Sequence, residues 1–131
     1  TPCGCFPLRR VFYRPDRLEA PDTGLQVRAL TPEDGWCEDP DDPAYNRLVS
    51  LPFAAGHETL WREDGLYDVI VELGYNDDPV TPGRGSAIFM HVAKPGFEPT
   101  KGCIALDLEV LLDLLKVCGE GSVVTVGLEA P

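Results

Sequence analysis

Residues 87–93, Ala87, Ile88, Phe89, Met90, His91, Val92 and Ala93, are the most restrictive stretch of this chain. A strand turns alternate side chains to opposite faces. One that is apolar on both faces must be covered on both, which places it in the middle of a sheet with material packed above and below. His91 then shares a face with Ala87 and Phe89. A sheet also suits the rest of the chain. Its 13 prolines and 13 glycines interrupt too often for several long helices. A single helical stripe is present. Leu108, Leu111, Leu112 and Leu115 fall at i, i+3, i+4 and i+7, one apolar face. Asp107 is a good N-cap and Gly119 a stop, so one main helix is predicted at about 107–118. The expected class is mainly β, a curved mixed sheet or β-sandwich with that helix.

Other elements follow from local pattern. Residues 7–14 read as a short strand with a basic edge at Arg9 and Arg10, and residues 26–30 alternate as a second. Residues 15–46 otherwise read as loop, rich in proline and acid. Irregular stretches this long tend to carry function, and here one would shape a substrate groove. Residues 57–61 read as a helical turn. Residues 67–73 read as a strand with Val69, Val71 and Leu73 on one face, 74–85 as a loop, and 123–126 as a last strand.

At 131 residues the chain is expected to be one domain. The net charge is −11, from 22 acids against 11 bases. That argues against sequence-independent nucleic-acid binding, which needs a basic surface. The acids at 33–42 and at Asp77 and Asp78 read as solvated loops. No apolar run reaches the length of a membrane span. No secretory leader is present in this segment, which says nothing about export if residue 1 is a cut site.

The chemistry centres on Cys103, twelve residues after His91. A thiol is a strong nucleophile as thiolate, and a nearby imidazole is the usual acceptor of its proton. Between the two lies the breaker-rich segment Lys94, Pro95, Gly96, Phe97, Glu98, Pro99. A strand, a loop and a returning segment would bring Cys103 beside His91. Gly102 lets the backbone N–H groups at 102 and 103 point at one spot, as an oxyanion hole requires. The other histidine, His57, is the rival base, placed near the groove in substrate binding or support of the site. His57, Glu58 and Trp61 mimic the start of a zinc-protease helix, but Trp61 stands where the second His is needed, so zinc is rejected. Gly83, Arg84 and Gly85 lack the later glycine of a dinucleotide loop, and the acids at 38–42 do not follow a calcium-loop spacing. No metal or organic cofactor is expected. Five cysteines, at 3, 5, 37, 103 and 118, suit one free thiol, and no disulfide is assigned.

Together these residues resemble the catalytic domain of the L,D-transpeptidases, the YkuD-like family of bacterial cell-wall enzymes. That family carries a His on a strand, then Ser/Thr-x-Gly-Cys and an apolar residue, matched here by His91, Thr100, Gly102, Cys103 and Ile104. Its upstream Thr-Pro-x-Gly-x-Phe motif is matched by Thr1, Pro2, Gly4 and Phe6. A branch with Asp-Gly-Leu-Tyr-Asp before Gly-Tyr-Asn-Asp-Asp-Pro is matched at 64–68 and 74–79. The resemblance runs from residue 1 to about Val126. Because the family domain normally starts earlier, residues 1–131 are expected to be one catalytic domain cut at its N-terminal side. Many members have His before the Gly and Arg two residues after the Cys, where this chain has Lys101 and Ala105.

The resemblance implies acyl transfer on peptidoglycan stem peptides through a Cys103 thioester, with His91 as base and Gly102 in the oxyanion hole. His57, Arg84, Tyr75, Asn76 and Thr100 become candidate substrate-binding residues. Arg84 can grip a carboxylate in place of the absent Arg, and Thr100 braces the nucleophile loop. The expected location is the periplasm or cell envelope. Water as acceptor would make the protein an L,D-carboxypeptidase. A non-catalytic cell-wall-binding domain is the different-class alternative, and a reactive Cys103 of depressed pKa would argue for the enzyme.

Overall fold

The computed structural model describes residues 3–93 and 103–127. Its elements are β1 (Gly4–Tyr13), β2 (Gln26–Ala29), β3 (Asp34–Cys37), β4 (Leu48–Ser50), β5 (His57–Thr59), β6 (Val69–Leu73), β7 (Phe89–Val92), β8 (Ile104–Leu106), α1 (Leu108–Lys116) and β9 (Val123–Val126). The class is the expected one, mainly β with a mixed sheet and one helix. No described helix is long and apolar enough to cross a membrane.

Six strands form the main sheet, in the order β2-β1-β6-β7-β8 with β9 also on β1. β1 serves two partners in succession. Residues 4–7 pair antiparallel with β9, and residues 10–13 pair parallel with β2. The register of β1 on β6 shifts between Leu8 and Val11, close to that changeover. β6 and β7 are antiparallel, and β7 and β8 are parallel.

Alternation sorts the core into two layers. Val11, Val69, Val71, Leu73 and Met90 face one way and pack with Leu111 and Leu115 of α1. Phe12, Ile70 and Phe89 face the other way and pack with Trp36, Leu60 and Tyr67. The second face is roofed by a small sheet, β4-β3-β5. Trp36 of β3 stands edge-on to Phe12 and Phe89, with centroids 6.5 and 5.1 Å apart. β7 is therefore covered on both sides, as its sequence demands. Burying such side chains stabilises by about 1.5–3 kcal/mol each.

The Asp107 side chain accepts from Glu109 N at 3.0 Å, which caps α1. The helix closes at Lys116, two residues earlier than predicted, because Val117 N and Cys118 N turn back to Leu114 O and Leu115 O. This tight turn satisfies the last carbonyls.

Two expectations are corrected. Residues 57–61 do not form a helical turn, since His57, Glu58 and Thr59 pair with Cys37, Trp36 and Gly35. An available strand edge outweighs weak local preference over three residues. The stretch 15–46 is also less irregular than it reads, because β3 lies inside it and all four of its residues are buried. The flanking acids and prolines hide a strand this short. Gly35 lets β3 and β5 pack closely, because a Cβ there would lie 2.8 Å from a terminal methyl of Leu51 and 3.3 Å from Glu58 O.

Candidate active site

Parallel pairing of β7 and β8 sets Met90 opposite Ile104, His91 opposite Ala105 and Val92 opposite Leu106. Cys103 immediately precedes β8 and extends that register to Phe89. Side chains alternate with period two, so Cys103 and Ala105 lie on the face of Phe89 and His91. Packing agrees. Met90, Val92, Ile104 and Leu106 belong to the layer under α1, whereas Phe89 and Cys103 belong to the layer under the small sheet. Cys103 and His91 are thus diagonal neighbours on one face of strands about 4.8 Å apart.

His91 is 3 % exposed. Its Nδ1 lies 2.8 Å from Val92 O. A carbonyl only accepts, so Nδ1 carries the proton and the lone pair sits on Nε2, the nitrogen a base must use. The Tyr67 ring stands edge-to-face against the imidazole at 5.5 Å and against Phe89 at 5.9 Å, which limits how the imidazole can turn.

The Cys103 thiol donates to Ala87 O at 3.2 Å. Burial pushes this thiol above its ordinary value, and the Glu58 carboxylate pushes the same way, while the Phe89 backbone hydrogen bond opposes them. This is the opposite direction to the depressed thiol that a resting ion pair would give. Both effects favour the neutral thiol over the thiolate.

Ala87 has φ 59°, a left-handed conformation that costs a residue with a Cβ about 1 kcal/mol. Asn46 holds it there. Its Oδ1 accepts from Ala87 N at 3.2 Å and from Trp36 Nε1 at 3.0 Å. Its Nδ2 donates to Tyr75 O at 3.0 Å and Asn76 O at 2.8 Å. Asn46 is itself buried and left-handed, with φ 58°. Asn46→Ala should therefore lower stability by about 2–4 kcal/mol, through stranded buried partners and a strained Ala. Urea denaturation at constant slope reads the loss, and a change within 0.5 kcal/mol, the range of an ordinary surface substitution, would refute this role.

Above the imidazole sits a polar cluster. Tyr67 donates its hydroxyl to Glu58 Oε1. Burial raises the Glu58 carboxyl to about 7, helped by a hydrogen bond shared with Glu38 and opposed by the one from Tyr67. Burial and the neighbouring Glu58 charge hold Tyr67 protonated. Arg62 lies over the Tyr67 ring at 5.2 Å and binds Asp64. Arg14 donates to Arg62 O and stacks on Trp61 at 3.7 Å, which ties the segment after β5 to the main sheet.

The other predicted site residues have various places. Gly102 and Thr100 lie outside the described residues. His57 is exposed at the start of β5, its Nδ1 2.8 Å from Ala55 O and its ring against Phe53. Among the described contacts, nothing brings it to Cys103. Arg84 is exposed in the turn before β7. The Tyr75 hydroxyl donates to Arg84 O at 2.6 Å. Asn76 donates to Thr81 O and Gly85 O and accepts from Thr81 N, so the polar atoms of Tyr75 and Asn76 shape the loop at 75–85. Ala105, where many family members have Arg, sits opposite His91. Among the described residues, no three His, Cys, Asp or Glu side chains converge as a metal site would need.

Sequence reasoning missed Glu58, Tyr67 and Asn46. Tyr67 had a signal, an aromatic next to a buried strand inside a recognised motif. Glu58 and Asn46 had none, because their roles depend on the small sheet that local pattern concealed. Compared with known families, residues 1–126 match the family model YkuD, the L,D-transpeptidase catalytic domain. No curated protein and no solved structure gives a significant match.

Proposed function

The chain belongs to the YkuD family of L,D-transpeptidase catalytic domains, and from that premise we propose that it moves acyl groups between peptidoglycan stem peptides through a thioester on Cys103. The observation that carries this is the shared face of Cys103 and His91, with His91 Nδ1 anchored on Val92 O. His91 Nε2 takes the thiol proton as the sulfur attacks the carbonyl between the L-centre of a diamino acid and the terminal D-residue. Backbone N–H groups at 102 and 103 hold the oxyanion, at about 3 kcal/mol per donor. The imidazolium then returns the proton to the departing amine of the D-residue, and the C–N bond breaks. An amine of a second stem attacks the thioester, loses its proton to His91 and releases the sulfur. Water in place of that amine would give L,D-carboxypeptidase activity. Peptidoglycan lies outside the cytoplasmic membrane, so the periplasm or cell envelope is the working place that this substrate implies.

A non-catalytic cell-wall-binding reading rests on two observations, the raised thiol and Ala105 in place of Arg. The two readings separate by mass. The protein incubated with purified muropeptides should release the terminal D-residue and yield a cross-linked or shortened product. A carbapenem should add once, on Cys103, because its strained lactam carbonyl mimics the donor amide. Acylation should be slow without the usual Arg. Intact mass should show one adduct, absent in Cys103→Ala. No reaction with either the carbapenem or a small alkylating reagent would favour the binding domain.

A further inference from the structure

We infer that Glu58 is a positioning residue for the Cys103–His91 pair, acting on it through Tyr67 and through its own charge. The inference deepens the acyl-transfer reading and rests on it. Glu58 enters the site from β5, opposite Trp36 of β3, and so belongs to the small sheet, not the main one. It receives the hydroxyl of Tyr67. Tyr67 is 6 % exposed and its ring meets both His91 and Phe89 edge-on. Phe89 is the residue that Cys103 stands against. One hydrogen bond therefore fixes the wall beside the base, and the same carboxylate also pushes the Cys103 thiol up.

The groups facing Glu58 come from four directions. Glu38 follows β3 and shares a hydrogen bond with it, Arg62 follows β5, Tyr67 precedes β6, and Cys103 precedes β8. His91 of β7 meets the Tyr67 ring. Among these described groups only Arg62 brings a fixed positive charge, and it is also bound to Asp64. Burial holds the Glu58 proton up to about pH 7. Below that pH Glu58 is neutral and exerts no field on the thiol. Above it the carboxylate is negative and opposes formation of the thiolate.

The test uses alkylation of Cys103 by iodoacetamide, followed by peptide mapping from pH 5.5 to 9, because Cys3 and Cys5 are exposed and also react. In the unaltered protein, the logarithm of the rate should rise with pH, show a shoulder near pH 7, and rise again. Glu58→Gln keeps an acceptor for Tyr67 but cannot become charged. Its rate should match the unaltered protein at pH 5.5–6 and exceed it by about twofold to tenfold above pH 7.5, with no shoulder. A purely structural role would change the rate equally at every pH. Tyr67→Phe removes a bond that favours the charged carboxylate, so its shoulder should move to higher pH. If Glu58→Gln does not fold, the unaltered protein and Tyr67→Phe still decide. An unbroken rise in the unaltered protein, a shoulder that Tyr67→Phe leaves in place, or superimposable Glu58→Gln and unaltered curves would overturn the inference. Muropeptide turnover is read separately, so failure of the acyl-transfer reading would leave the alkylation result intact.

Discussion

Cys103→Ala is expected to leave no measurable muropeptide turnover, a loss on the order of 10⁴-fold or more. In the proposed mechanism the acyl intermediate is a bond to this sulfur, and none of the other thiols sits where it can substitute. Cys37 is fully buried, and burial raises its pKa. Its Sγ lies against Asp39 O at 3.9 Å. Cys118 donates to Leu114 O at the end of α1. Cys5 lies on β1 beside Thr125 of β9, on the far side of the sheet order from β8. Cys37 faces His57 across β3 and β5 only as a strand partner, and no described side-chain hydrogen bond links any of these thiols to a histidine. The substitution removes one sulfur from a half-buried place, so the fold should lose about 1 kcal/mol or less, and the thermal transition should stay near that of the parent. Cys118→Ala is the control. It should cost some stability and leave turnover intact. Turnover retained in folded Cys103→Ala, measured by mass on the same muropeptides, would refute the thioester.

Most of the fold was legible because it depends on patterns that sequence exposes directly. A run apolar on both faces suits a strand covered above and below, and β7 lies inside the sheet, between β6 and β8, with a layer packed on each face. A leucine stripe beginning after Asp107 gave α1 with its cap. The shared face of Cys103 and His91 comes from the parallel pairing of β7 and β8, which the breakers at 94–99 do not specify, since a chain that simply turned back would pair antiparallel. What was not legible depends on pairing between distant segments. β3 and β5 are four and three residues long, too short for period two to stand out. Yet they carry Trp36 and Glu58, which build the roof over the site. Asn46 was invisible for a related reason. Its left-handed backbone and four hydrogen bonds join three segments that local sequence does not connect. The direction of the Cys103 thiol was not legible, because an imidazole neighbour alone would lower its pKa. Burial against Phe89 and the charge of Glu58 outweigh that expectation.

His91→Ala should slow turnover by about 10²–10⁴-fold, the ordinary contribution of a general base. The loss is smaller than that from Cys103→Ala because solvent can still remove the thiol proton, at a rate that grows with hydroxide. The pH profile should therefore steepen and move upward in the variant, where the parent has a base of its own. The raised thiol makes the dependence on His91 stronger. A pre-formed thiolate would need no base for the attack, whereas a neutral thiol must hand its proton over as the bond forms. The Val92 carbonyl holds Nδ1 and Tyr67 crowds the ring, so the substitution leaves a space shaped for an imidazole. Added imidazole should enter it and restore part of the rate, a readout that mere loss of stability would not give. His57→Ala should stay within about twofold of the parent, since surface substitutions away from a site rarely matter and His57 faces solvent against Ala55 and Phe53. If His57→Ala proves the more damaging variant while both proteins remain folded by circular dichroism, the base has been assigned to the wrong histidine. The shared face of β7 and β8 would then serve packing alone.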